Sequence, residues 1–200
     1  MTSVMRKAFV GFAAMAFLGG TADSFAADGS GPPVLAKTLA PSRGSNRLTV
    51  RSSAFSPGTS IPERYTQNGE NMSPAIEWTK GPQGTRSYVV LAEDSSVSRD
   101  TPIVHWVMYD INAAMTRLPQ AMASEPTSNA GMQGKNIAGQ TGYIGPKPPA
   151  GQEHQYHFQV FALNTRLNLD PATADRAAVV EAMKGKVLAS GDLIGNYTGK

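Results

Sequence analysis

Three histidines, one aspartate and one tyrosine are the residues of this chain whose types and positions best suit chemistry. His105 lies within an apolar run that predicts a strand, and His154 and Tyr156 open another such run. Because residues two apart on a strand share a face, His154 and Tyr156 point the same way, whereas His157 points the other way. Asp94 ends a third predicted strand, where its carboxylate can enter a pocket at the rim of a sheet.

The expected chemistry of these residues is anion binding. A carboxylate such as Asp94 can orient an imidazole and raise its pKa. Two imidazoles and a phenol can donate hydrogen bonds to a negatively charged group. We therefore predict that Asp94, His105, His154 and Tyr156 form a polar cluster at neighbouring strand ends, with a compact anion such as phosphate as its ligand. Spacing alone leaves open the alternative that each residue is satisfied within its own strand and that they share no site.

Other chemistries receive little support from the sequence. The chain contains no cysteine, which excludes disulfides, thiolate metal sites and a cysteine nucleophile. His154 and His157 have a spacing that suits a metal on a helix, but on a strand the two rings diverge, so no metal site is predicted. No HExxH, GxSxG, GxGxxG, P-loop or SxxK pattern is present, and no cofactor is expected. A Ser/His/Asp triad stays open because its members can be distant in sequence.

Length and composition indicate one domain built mainly of strands. The chain has 200 residues, and its 20 glycines and 14 prolines argue against a helical bundle and for short strands with many turns. The net charge of +3 is small, and the basic residues are scattered rather than clustered with aromatic residues. Nucleic acid is therefore not an expected partner.

The N-terminus has the features of a secretory signal peptide. Arg6 and Lys7 precede an apolar run over 8–20, and Ser24 and Ala26 provide the small residues of a cleavage site. The run is shorter than the roughly 20 residues that a membrane-spanning helix needs, so we expect no stable membrane insertion. The alternative is an uncleaved membrane anchor. Residues 1–26 are thus predicted to be a signal peptide of a secreted protein, with the periplasm as the expected location.

Residues 27–47 are rich in Gly, Pro, Ser and Ala and lack periodicity, which predicts a disordered linker before a folded domain over 48–200. A long loop is predicted over 120–149, and a helix over 176–184 follows the start signal Asp170-Pro171. The fold class is mainly β (α+β), with long loops and a C-terminal helix, and periodicity leaves sandwich and barrel open. The predicted extended segments are 48–55, 64–66, 75–78, 86–92, 103–111 and 155–163.

Several sequence blocks occur in a familiar order. They are Phe55 with Ile61-Pro62 and Tyr65, the block GENMSPAIEW over 69–78, the step His105-Trp106, the block YIGPKPPAG over 143–151 with His154-Gln-Tyr156, and the closing block GKVLASGDLIGNY over 185–197. The order resembles the phosphatidylethanolamine-binding protein family, in its bacterial Raf-kinase-inhibitor-like (YbhB/YbcL) branch. The similarity covers essentially the whole predicted domain.

The resemblance implies a central antiparallel sheet with a smaller sheet packed beside it and peripheral helices. It also implies a pocket for phosphate-like and phosphorylethanolamine-like groups. By motif position, the pocket residues carry over to Asp94, His105, His154 and Tyr156. The loop that would form one wall of the pocket contains Gly145, Pro146, Pro148 and Pro149.

The chain departs from the family pattern in its acidic motif. The family has D-P-D-A-P where this chain has Asp94-Ser95-Ser96-Val97-Ser98, so one acid and both prolines are replaced. The loss of one carboxylate favours a negatively charged ligand. Lys147, within the GPxPP segment, would favour phosphate further if its ammonium group pointed inward.

Three functions are compatible with these observations. The leading hypothesis is a secreted, non-enzymatic protein that binds a small anionic ligand such as phosphate or a phospholipid headgroup. The second is an interaction protein that inhibits an extracellular protease or kinase through the pocket rim. The third is a hydrolase with His105 or His154 as general base and Ser95 or Ser96 as nucleophile. The resemblance also allows a homodimer.

Overall fold

Two antiparallel sheets form the framework of the part of the chain that the structure describes. The computed structural model describes residues 31–200, so the predicted signal peptide over 1–26 lies outside the described residues. The prediction of a mainly β fold with two antiparallel sheets is confirmed. The larger sheet has the strand order β6 (Met132–Gln133), β4 (Ile103–Asn112), β3 (Ser87–Asp94), β7 (Glu153–Leu163) and β8 (Val187–Thr198). The smaller sheet has the order β1 (Val50–Arg51), β2 (Ile76–Trp78) and β5 (Arg117–Leu118).

The central strands of the larger sheet are buried on both faces. Every residue of β3 is buried, which explains why its sequence is a nearly continuous apolar run rather than an alternating one. One face packs on the smaller sheet, where the rings of Trp78 and Tyr88 lie 5.3 Å apart. The other face packs on helices, with Val89 and Leu91 in one cluster with Val179. The sheet is therefore the middle layer of the molecule.

Within residues 31–200, two α-helices and one 3-10 helix lie outside the sheets. They are α1 (Ala36–Leu39), α2 (Arg176–Met183) and the 3-10 helix Glu63–Tyr65. The predicted C-terminal helix is present and begins at Arg176, as predicted. The residue that caps it is Asp175, whose carboxylate accepts a hydrogen bond from the backbone N–H of Ala178. The extended segment predicted over 64–66 is wrong, because a 3-10 turn forms there. No helix within residues 31–200 combines the length and the hydrophobicity needed to cross a membrane.

Strand β8 is twelve residues long and was not among the predicted strands. Its glycines explain the weak strand signal. A Cβ atom on Gly191 would lie 2.1 Å from the carbonyl oxygen of Leu48, and one on Gly195 would lie 2.6 Å from the side chain of Ile61. Glycine is needed at both positions so that the chain after Leu48 can cross β8 at close range. The strand predicted over 48–55 is correspondingly reduced to Val50–Arg51.

The segment before the predicted domain packs on the larger sheet. Ala36 and Ala40 are completely buried. The backbone N–H of Ala36 donates to Glu93 Oε2 at 3.0 Å, and that of Lys37 donates to Gln159 Oε1 at 2.9 Å. The interpretation of 27–47 as a disordered linker is therefore wrong for this part of the segment. The local sequence carries no signal of this packing, because the side chains that the two N–H groups contact lie more than fifty residues away.

Candidate functional site

One edge of the larger sheet brings together the ends of three strands. Because β3 pairs antiparallel with β4 and β7, the end of β3 lies beside the beginnings of both. Asp94 is paired with Ile103 on one side and with Tyr156 on the other. The residues that the sequence placed in separate strand ends therefore meet at this edge.

A β-bulge directs His105 toward this cluster. Ala92 pairs with Trp106 and the next residue, Glu93, pairs with Val104, so His105 is the extra residue in β4. Strict alternation would place His105 and Trp106 on opposite faces. The bulge lets Trp106 pack with the core that contains Tyr156 while the ring of His105 lies 5.1 Å from the ring of Tyr156.

Asp94 holds the ring of His154. Its Oδ2 atom lies 2.7 Å from His154 Nδ1, and its Oδ1 atom accepts a hydrogen bond from the backbone N–H of Ser96 at 2.8 Å. A carboxylate only accepts hydrogen bonds, so Nδ1 of His154 carries a proton and donates it to this contact. Nε2 is the ring nitrogen of His154 that is left for a ligand. Both side chains are almost fully buried.

His105 is held by the loop that follows residue 142. Its Nδ1 atom lies 2.7 Å from the carbonyl oxygen of Ile144, and the backbone N–H of Ile144 donates to the carbonyl of His105 at 2.9 Å. The opposite ring nitrogen, Nε2, is buried and has no hydrogen-bond partner. Burial lowers the pKa of His105, although the Ile144 carbonyl and the Asp94 charge act in the opposite direction. The free protein thus contains a neutral imidazole with an unused nitrogen.

Tyr156 completes the cluster of four side chains. It is 2% exposed, and its ring meets that of His105 edge to face at 79°. Burial raises the pKa of the Tyr156 hydroxyl, and the nearby charge of Asp94 raises it further. The hydroxyl therefore keeps its proton at neutral pH and is available as a hydrogen-bond donor.

The glycine- and proline-rich loop is anchored mainly through its first residues. The N–H of Gly145 donates to Asn71 Oδ1 at 2.7 Å, and Gln67 donates from its side chain to the carbonyl of Gly145, also at 2.7 Å. A Cβ atom on Gly145 would lie 2.5 Å from the carbonyl oxygen of Tyr65, so only glycine fits. Pro146 is buried, and its carbonyl accepts a hydrogen bond from the backbone N–H of Gln67 at 3.0 Å.

The later residues of the loop contact the C-terminal segment through their carbonyl groups. The carbonyl oxygens of Pro148 and Pro149 lie against Gly199 near the C-terminus, and Lys147 is exposed. The structure therefore joins Gly145 to His105 through the adjoining Ile144, while Pro148 and Pro149 support the loop from its far end. That the whole segment 145–149 forms one wall of the pocket stays a prediction.

Asn71, Gln67 and Ile144 hold the site in place and were not predicted. Asn71 adopts a positive φ of 55°, a conformation that asparagine tolerates better than most residues. The sequence QNGEN predicts a turn at this point, but it does not show that the turn reaches the loop after residue 142. Ile144 acts through its backbone, for which the sequence carries no signal.

His157 lies on the opposite face of the sheet, as the alternation of β7 predicts. Its Nδ1 atom lies 2.8 Å from Asp192 Oδ2, and its Nε2 atom lies 3.1 Å from Ser95 Oγ. Ser95 therefore contacts His157 rather than His105 or His154. Ser96 Oγ accepts a hydrogen bond from the backbone N–H of Gln155. The arrangement considered for a hydrolase, with His105 or His154 activating one of these serines, is not the one that the structure forms.

Fold and cluster together define a two-sheet β protein with a histidine pair at one sheet edge. The family model described as phosphatidylethanolamine-binding protein matches residues 51–198. The chain therefore belongs to the phosphatidylethanolamine-binding protein family, in agreement with the resemblance seen in its motifs.

The relatives support the bacterial branch of the family. The chain is 39% identical over 160 residues to the UPF0098 protein of Aquifex aeolicus, covering 78% of this chain and 91% of that protein. It resembles a phosphatidylethanolamine-binding protein homologue of Chlamydia trachomatis at 31% identity and a TM-score of 0.68, covering 78% and 100% of the two chains. Escherichia coli YbcL, described as a member of the mammalian family, matches at 26% identity and a TM-score of 0.71, covering 77% and 99%.

Proposed function

We propose that this protein is a secreted binding protein for a small phosphate-like anion or a phospholipid headgroup that carries one. The observation that carries the proposal is the buried and unpartnered Nε2 atom of His105, which lies beside Tyr156 and the pair formed by Asp94 and His154. A buried polar atom without a partner costs roughly 1–3 kcal/mol. A ligand that bonds to this nitrogen would recover that free energy.

Each of the four side chains has a distinct part in the proposed contact. Asp94 fixes the tautomer of His154, so that Nε2 of His154 donates to the anion when the ring is protonated. The Tyr156 hydroxyl donates because its raised pKa keeps it protonated. His105 donates from Nε2 once it takes up a proton, and until then it accepts a hydrogen bond from a protonated phosphate oxygen or an ammonium group. A monoprotonated phosphate or a phosphorylethanolamine group satisfies either state of His105.

Secretion is part of the proposal and depends on the N-terminal sequence. A basic start, an apolar run and small residues before position 27 are the observations that support it. Expression of the full chain in a Gram-negative host should place the protein in the periplasmic fraction, with Ala27 as its first residue. Retention of residues 1–26 in the cytoplasmic fraction would count against this part.

Calorimetric titration with inorganic phosphate and with phosphorylethanolamine tests the binding itself. Saturable binding is expected at millimolar ligand or below. His154→Ala and Tyr156→Phe each remove a donor, and each is expected to weaken binding about tenfold or more, since one charge-assisted hydrogen bond contributes about 1.5–3 kcal/mol.

The matched control is Gln155→Ala, because Gln155 lies between the two tested residues and its side chain is exposed. This variant should bind like the unaltered protein. Equal affinity in all four proteins, or no heat of binding for either ligand, would contradict the proposal. The melting temperature of each variant shows whether it is folded.

A further inference from the structure

A second polar cluster lies on the helix-covered face of the larger sheet. It contains Ser95, His157 and Asp192, and none of the three belongs to the anion site proposed above. We propose that these residues form a Ser–His–Asp nucleophile site that accepts acyl groups from activated esters.

The distances match the roles that such a site requires. Asp192 Oδ2 lies 2.8 Å from His157 Nδ1, and because a carboxylate only accepts, Nδ1 carries the proton of the neutral ring. His157 Nε2 is then a bare acceptor, and it lies 3.1 Å from Ser95 Oγ. The base is therefore within hydrogen-bond reach of the nucleophile and is itself oriented by a third group.

The sheet positions the three groups rigidly. Glu93 pairs with His157, and His157 pairs with Ile194. Ser95 and Asp192 each lie two residues from those partners, so both share the face of His157. Lys37 Nζ also contacts Asp192 Oδ2, at 2.5 Å.

The carboxylate of Asp192 is held in its charged form. Burial alone would raise the pKa of Asp192, but the hydrogen bonds from His157 and Lys37 outweigh it and lower the pKa below the usual value. An ionised carboxylate is the form that stabilises an imidazolium while the base holds the serine proton.

The side chain of Ser95 is more exposed to solvent than that of His157, which is what a substrate needs in order to reach the nucleophile. Ser95 is partly exposed at the end of β3, and His157 is 6% exposed beneath it. A substrate can therefore reach the hydroxyl, while the imidazole stays largely out of water.

The surrounding backbone limits the substrate to reactive esters. The N–H of Ser95 already donates to the carbonyl of Gln155, and the N–H of Ser96 donates to Asp94. Neither amide is free to stabilise the oxyanion of a tetrahedral intermediate, and loss of one such donor costs on the order of 100- to 1,000-fold in rate. Esters with good leaving groups need this assistance least, so we exclude amides and peptides from the substrate class.

The chemical step balances within these residues and one water. Ser95 Oγ forms a bond to the acyl carbon as its proton moves to His157 Nε2. The bond from the acyl carbon to the leaving oxygen breaks, and that oxygen takes the proton from His157. Water, deprotonated by His157, then attacks the acyl-serine, which releases a carboxylic acid and restores the Ser95 hydroxyl.

A fluorophosphonate probe tests the nucleophile directly. Ser95 Oγ would form a bond to phosphorus with loss of fluoride, and intact-mass analysis with peptide mapping should show one adduct, on Ser95. Ser95→Ala should show none. His157→Gln should react at least about 100-fold more slowly, because an amide can keep both hydrogen bonds but cannot accept the proton.

Ser98→Ala is the matched control, since Ser98 is an exposed serine in the same segment. It should be labelled at the rate of the unaltered protein, and all the proteins should have similar melting temperatures. The unaltered protein and Ser98→Ala should hydrolyse p-nitrophenyl acetate at equal rates, His157→Gln should be much slower, and Ser95→Ala should show no hydrolysis by this site. No adduct on Ser95 at millimolar probe would overturn the proposal. An equal labelling rate in His157→Gln would overturn it as well, and His157→Ala provides the same comparison should His157→Gln fail to fold.

Discussion

His105 has its two ring nitrogens in different environments, and this difference makes the proposed binding depend on pH. Nδ1 faces the Ile144 carbonyl, so the neutral ring presents a lone pair at the buried Nε2 atom. A fully ionised anion repels that lone pair, but it attracts the imidazolium. The pKa of His105 is lowered in the free protein, so the ring is neutral there, and binding of such an anion must be accompanied by proton uptake.

Sulfate is the sharpest probe of this coupling, because it carries no proton near neutral pH. Its affinity should rise as the pH falls from about 8 to 6, with a contribution of up to about tenfold per pH unit for one proton taken up. The groups that face His105 are Asp94, His154, Tyr156 and the Ile144 carbonyl. His105→Gln keeps a donor that does not titrate, so its slope should be smaller by about one proton. Titration calorimetry at several pH values measures both slopes, and identical slopes would contradict the coupling.

Local sequence rules predict which face of the sheet some site residues occupy and do not predict it for others, for a physical reason. Alternation in β7 places His154 and Tyr156 on one face and His157 on the other, and the contacts of these residues agree. His105 follows no alternation, because a bulge in β4 turns it toward Tyr156. Nothing in the apolar run around His105 distinguishes a bulge from a regular strand, since the bulge depends on pairing with β3.

At the scale of elements, one buried ion pair joins the helix layer to the sheet. Arg176 begins α2, and its Nε atom lies 2.5 Å from Oε1 of Glu93, which is completely buried in β3. Glu93 Oε2 also accepts from Gln159 at 2.6 Å and from the backbone of Ala36 at 3.0 Å. A single carboxylate therefore connects α2, two strands and the segment before the first strand.

Removal of Arg176 alone should be strongly destabilising. Arg176→Met leaves the Glu93 charge buried without its partner, which typically costs about 3–5 kcal/mol of unfolding free energy. The double variant Glu93→Gln with Arg176→Met removes both charges and should recover most of that loss. Urea unfolding measures the free energy of unfolding of the single and the double variant. The exposed pair Lys184–Glu181 is the control, and Lys184→Ala should change stability by less than about 1 kcal/mol. A cost as small for Arg176→Met as for Lys184→Ala would show that the pair does not hold the layers together.

The sequence predicts best those strands of the larger sheet that are covered by other elements on both faces of the sheet. Strands β3, β4 and β7 are long apolar runs, because helices cover one face of the sheet and the smaller sheet covers the other. Strand β8 is instead marked by Gly191 and Gly195, which the close crossing of another segment requires. Its strand character arises from pairing along β7, and short-range periodicity does not report such pairing.

At the scale of the whole molecule, the folded unit begins well before the predicted boundary at residue 48. Ala36 and Ala40 fill the helix-covered face, and Val34 accepts a hydrogen bond from Arg176 at 2.7 Å. Cleavage after Ala26 would leave this segment in place. The predicted signal peptide and the packed segment are thus compatible, with residues 27–33 between them.

Two truncated chains distinguish a packed segment from a flexible linker. A chain that begins at Pro32 keeps every contact of Ala36 and Lys37, so its urea midpoint should equal that of a chain beginning at Ala27. A chain that begins at Arg47 leaves Glu93 and Gln159 without their backbone donors and Arg176 without the Val34 carbonyl. The same truncation removes the hydrogen bonds from Val34 N–H to Asp100, from Arg43 N–H to Val187 and from Lys37 Nζ to Asp192. At about 1 kcal/mol for each buried hydrogen bond, the loss of unfolding free energy should be at least about 3–5 kcal/mol. Equal midpoints for the chains beginning at Pro32 and at Arg47 would mean that residues 32–46 add no stability. In that case Glu93 and Arg176 would satisfy each other without the segment that covers them.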